Sequence, residues 1–101
     1  MSIKSNFSAD EQKLMIHTDS HFDFSEWVNF RNSYEEAPKM THKFVVNMAR
    51  TRTIDSSALS MLIVLKDYAQ SRDSTSRIVD CWGVVRETFS LTNLDCFFDI
   101  E

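Results

Sequence analysis

Thr53-Ile54-Asp55-Ser56-Ser57-Ala58-Leu59-Ser60-Met61-Leu62-Ile63-Val64-Leu65-Lys66-Asp67-Tyr68 is the stretch on which the reading of this chain turns. Upstream of Asp55 the residues are β-branched and strand-like; downstream the apolar positions recur at helical spacing. A tight connection into a helix is therefore expected at Asp55. Asp and Ser are the side chains best suited to accept hydrogen bonds from the unpaired amides of a first helical turn. Ala58, Leu59, Leu62, Ile63, Leu65 and Ala69 then form one broad apolar side to be buried against a sheet. A helix start carrying two exposed hydroxyls, Ser56 and Ser57, on a packed scaffold is the result. Taken alone, Asp-Ser-Ser before an apolar run describes a helix cap.

Working outward, Lys43 to Ala49 is a nearly continuous apolar run, as expected of a central strand. The loop Arg50-Thr51-Arg52-Thr53 links it to the helix. Its two arginines are either solvated loop charges or a positive rim beside Ser56 that receives an acidic partner or a phosphate. Further upstream, Lys13 to Thr18 alternates with Leu14 and Ile16 on one face, and Phe7 to Ala9 reads as a short strand that can pair with it at a sheet edge. Asp23-Phe24-Ser25-Glu26 has the form of a capping box before a helix from about Phe24 to Glu36, ended by Pro38. Phe24, Trp27, Val28 and Tyr34 fall near one face of it, with Phe30 partly exposed. Downstream, Arg72 to Ser76 reads as a polar loop, Ile78, Val79 and Cys81 as a strand, and the segment after Gly83 through Val85 and Phe89 as a helix. Phe97 to Ile100 forms a last strand or packs as an extended tail. Alternating strands and helices give an α/β sandwich.

The 101 residues suit one domain, residues 1–101, with a core of eight Phe, two Trp and two Tyr among its bulky members. The net charge of −4 and the lack of a clustered basic face argue against nucleic-acid binding. No apolar run approaches membrane-spanning length and the N-terminus has no apolar signal core, so a cytoplasmic protein is expected. Cys81 and Cys96 do not form a metal-binding pair, and both are expected to be reduced. His17, His21 and His42 show no ligand or catalytic spacing. With no base placed to activate Ser56 or Ser57 and a single Gly in the chain, neither nucleophilic catalysis nor a Gly-rich phosphate cradle can be assembled. No cofactor, no metal and no enzymatic activity are expected.

Ile54-Asp55-Ser56-Ser57-Ala58-Leu59 behind the strand at Phe44 to Met48 resembles the signature of the STAS family, whose soluble members include bacterial anti-sigma factor antagonists. The resemblance runs from about Lys13 and includes Trp82 to Leu94 and Phe97-Phe98. It implies a mixed four- to five-stranded sheet with helices packed largely on one face. It also implies that the residue after the aspartate, Ser56, is phosphorylated, with Ser57 as second candidate, and that Asp23, Arg52, Asp55, Ser56, Ser57 and Ala58 meet the partner. The implied partners are an anti-sigma factor of the serine-kinase type and a PP2C-type phosphatase or response regulator. The alternative is an unphosphorylated adaptor in a larger assembly such as a lipid-transport ABC complex. Ala58 and Asn93 replace family glycines; Asn tolerates the left-handed backbone of a helix end, whereas the Ala58 methyl is expected to limit how closely a partner backbone approaches.

Overall fold

The computed structural model describes residues 3–101. Five strands, β1 (Lys4–Ser8), β2 (Lys13–His17), β4 (Lys43–Asn47), β6 (Thr75–Val79) and β7 (Asp99–Ile100), form one sheet in the order β1-β2-β4-β6-β7. β1 runs antiparallel to β2 at one edge, and every other pairing is parallel. A second, two-residue pair joins β3 (His21–Phe22) to β5 (Thr53–Ile54) in parallel. The helices are α1 (Trp27–Glu35), α2 (Ser56–Ser71) and α3 (Gly83–Leu91).

Alternation along the strands fixes which face is covered. Leu14, Ile16, Phe44, Val46 and Ile78 are buried in the same cluster as Phe30 and Tyr34 of α1, Leu62 and Leu65 of α2, and Val85 and Phe89 of α3. Residues that alternate with these point the other way, so all three helices lie on one side of the mixed sheet, as expected. An aromatic chain locks α1 and α2 onto β4. Phe22 meets Phe30 at 5.1 Å, Phe30 meets Tyr34 at 5.6 Å, Tyr34 meets Tyr68 at 4.9 Å, and Phe44 meets Tyr68 at 5.9 Å between ring centres. All but the tilted Tyr34–Tyr68 pair meet edge-on, an arrangement that adds to their burial. Burial pushes the Tyr34 hydroxyl pKa up to about 12.

Several local expectations change. In α1 the buried residues are Phe30 and Tyr34, while Phe24 and Val28 are exposed. Val28 lies about 100° beyond Trp27 around the helix, away from the Phe30–Tyr34 stripe. In α2, Ala58, Met61, Leu62, Leu65 and Ala69 face inward, and Ile63 faces solvent for the same angular reason. β1 sits earlier than expected, at Lys4–Ser8. β6 begins inside the segment read as a polar loop, since Thr75, Ser76 and Arg77 pair with Lys43, Phe44 and Val45. Arg77, paired with Asp99 and Glu101, ties this polar half to β7 and the C-terminus. Residues 97–100 resolve into a turn end followed by the two-residue β7, and Asn93 adopts the left-handed conformation with φ 59°.

Candidate functional site

The short β3–β5 pair builds the site. Phe22 is opposite Ile54, so the chain leaves this pair at Asp23 and Asp55 together, and each aspartate opens a helical element. The two starts are alike. Asp23 Oδ1 accepts from the Ser25 amide at 3.0 Å and the Ser25 hydroxyl at 2.5 Å. Asp55 Oδ1 accepts from the Ala58 amide at 2.9 Å and the Ser57 hydroxyl at 2.6 Å. The expected reciprocal capping box at Asp23 is not formed, because residues 24–26 wind as a 3-10 turn and Glu26 Oε2 is left without a hydrogen-bond partner. Beneath the pair, buried Thr18 and Thr51 join hydroxyls, and Thr51 Oγ1 also donates to the Asp19 carbonyl at 2.8 Å. Arg52 and Thr53 amides both donate to the Ser20 carbonyl, and His21 Nδ1 pairs with Thr53 Oγ1 at 2.6 Å.

This frame treats the two serines differently. Ser57 is half-buried and its hydroxyl is committed to Asp55. Ser56, the first helical residue, is exposed, and its hydroxyl makes no hydrogen bond among the described residues. The Ser57 hydroxyl, then the Ala58 amide, hold the Asp55 carboxyl below its ordinary pKa, so it is ionised at neutral pH. At the first turn of a sixteen-residue helix an added anion meets the positive end of the helix dipole. Arg52 is exposed at the edge of the same connection and has no ion pair among the described residues.

Ala58 is different from the other five expected site residues: it is fully buried. Its methyl packs into the core and does not stand between the helix start and a partner, which corrects the expectation drawn from the missing glycine. Residues not anticipated as part of the site flank it instead. Phe24, Trp27, Met61 and Val64 line an apolar groove that also touches Ser57 and Ser60, and Phe24 is 65% exposed. Its exposure follows from the 3-10 turn, which is not visible in an apolar periodicity. The paired starts do leave a trace in the sequence: His21-Phe22-Asp23-Phe24-Ser25 and Thr53-Ile54-Asp55-Ser56-Ser57 repeat one pattern of apolar residue, Asp, any residue, Ser.

The model of the STAS domain family matches residues 4–101. A STAS-domain containing protein of Pseudomonas aeruginosa (strain UCBPP-PA14) is 33% identical over 101 residues, covering both chains completely. The fold is similar to that of a candidate anti-sigma factor antagonist of Thermotoga maritima, with a TM-score of 0.82 at 16% identity, covering 97% of this chain and 84% of that one. It is also similar to the anti-sigma factor antagonist SpoIIAA in its unphosphorylated form, with a TM-score of 0.75 at 11% identity over 99% of this chain and 87% of the other. The phosphorylated form of the Bacillus protein SpoIIAA gives 0.67 at 10% identity, over 99% and 91%. With a family model matched almost from end to end and a full-length relative at one-third identity, this chain belongs to the STAS domain family.

Proposed function

We propose that this chain is an anti-sigma factor antagonist in a partner-switching pathway. Its unphosphorylated form binds an anti-sigma factor that is also a serine kinase, phosphorylation at Ser56 releases it, and a PP2C-type phosphatase restores it. The observation that carries the reading is the exposed, uncommitted Ser56 hydroxyl beside an ionised Asp55 at the start of α2. Similarity to the fold of SpoIIAA, a protein known in unphosphorylated and phosphorylated forms, supports it. The groove of Phe24, Trp27, Met61 and Val64 beside the serines gives a partner apolar surface to cover.

A phosphate brings about −1.5 to −2 charges to a position where the helix start favours an anion, so the cost falls on the interface. Facing a carboxylate about 6 Å away, a doubly charged group is repelled by about 1 to 5 kcal/mol for effective dielectrics of about 80 to 20. That corresponds to about one to four decades of affinity. Incubation with the kinase partner and ATP, followed by intact-mass measurement and mapping, tests the site. One phosphate is expected on the wild type, at Ser56, and none on Ser56→Ala. Undiminished phosphorylation of Ser56→Ala overturns the assignment, and binding to an ABC-transporter subunit with no phosphorylation at all favours the adaptor instead.

A further inference from the structure

At the opposite end of α2, about 24 Å from Ser56 along a sixteen-residue helix, lies a cleft of about 170 Å3. The end of α1, the connection through Pro38 to Thr41, and the last turns of α2 enclose it. Its wall is aromatic: Tyr68 packs on Tyr34 and Phe44 at 4.9 and 5.9 Å between ring centres. Its rim is positive. Lys39 and Arg72 are both exposed, and neither has a carboxylate partner among the described residues. The Arg72 guanidinium is held 4.4 Å from the centre of the Tyr68 ring, over the same wall. Glu35, the acidic residue of the lining, lies 3.9 Å from Arg31 and is thereby partly neutralised.

Thr41 also lines the cleft and is only 5% exposed, with its Oγ1 enclosed and without a hydrogen bond. An aromatic wall and two cations without carboxylate partners suit a ring that carries an anionic group. The size is right for a single ring, since an engineered cavity of about 150 Å3 accepts benzene.

The geometry points to a binding site for a small aromatic carboxylate in this cleft, with the ring against Tyr68 and the carboxylate between Arg72 and Lys39. The site lies at the other end of α2 from Ser56. Titration of the 15N-labelled full chain with benzoate, benzamide and inorganic phosphate, followed by amide chemical shifts, tests it. Benzoate is expected to give saturable shifts centred on residues 34–44 and 68–74, with affinity at least tenfold above that of benzamide and of phosphate. Arg72→Met, a change at an exposed helix end, is expected to weaken benzoate at least fivefold while leaving the spectrum dispersed. Absence of saturable shifts with benzoate overturns the proposal. So does equal affinity for benzamide, which would show that the cations are not used, or equal affinity for phosphate, which would show that the ring is not.

Discussion

Asp55 uses one carboxylate oxygen to hold both the Ala58 amide and the Ser57 hydroxyl, and by doing so it separates two adjacent serines that look interchangeable in sequence. The order Asp-Ser-Ser can be read directly, and the capping role follows from residue type alone. Which serine is tied back depends on the rotation of the first helical turn, and that is set only once α2 is docked. Asp55→Ala is expected to cost about 1 kcal/mol of stability through loss of the cap, measured by urea denaturation. The same change frees the Ser57 hydroxyl, so phosphate mapped on this variant should appear on Ser57 as well as Ser56. Because the folded Asp55 pKa is lowered from 3.8, its contribution to stability is present above that value and is lost as pH falls through the lower folded value. Asp55→Asn, which still caps, should therefore flatten the acid side of the stability curve below about pH 4, as measured by thermal melts across pH. An unchanged acid limb would show that this carboxylate is not the one responding.

At the scale of elements, α2 is legible because sixteen residues give periodicity enough to show a face, and β4 because its apolar run is nearly unbroken. The strands β3 and β5 are not, since two residues carry no period, and yet this pair sets Asp23 beside Asp55. β6 is legible only in part, for another reason. Its first half, Thr75-Ser76-Arg77, is polar because Arg77 faces Asp99 and Glu101 at the C-terminus, a contact between residues more than twenty positions apart. The aromatic stripe of α1 differs from the one its sequence suggests because residues 24–26 wind as a 3-10 turn, which leaves Phe24 exposed. The hydroxyl contact of Thr18 with Thr51 is the support most specific to the site, joining the loops that follow β2 and β4. Thr51→Val keeps the shape and leaves the Thr18 hydroxyl and the Asp19 carbonyl without that partner. It should destabilise the protein by about 1 to 3 kcal/mol, measured by chemical denaturation. Amide exchange at residues 20–22 and 52–55 should quicken more than elsewhere. Uniform acceleration would mean that the threonine pair supports the whole sheet and not the site.

Across the whole molecule, one face of the sheet carries all three helices, and Ser56 sits where α2 begins beyond the end of the parallel strands. Ligand and partner surfaces favour that end because loops and helix starts converge there while the core below stays fixed. The core residues nearest the site, Ala58, Met61 and Leu62, are buried beneath the first turns and do not need to move when a group is added to an outward hydroxyl. Phosphorylation at Ser56 is therefore expected to shift the thermal midpoint by no more than a few degrees, since a stability change of 1 kcal/mol corresponds to about 4 to 8 °C in a domain of this size and the helix start offsets part of the added charge. The effect should appear in association. The most direct measurement is calorimetric titration of the anti-sigma partner with the chain before and after stoichiometric phosphorylation at Ser56. Partner switching predicts a dissociation constant at least tenfold weaker for the phosphorylated chain, and equal or tighter binding would contradict it.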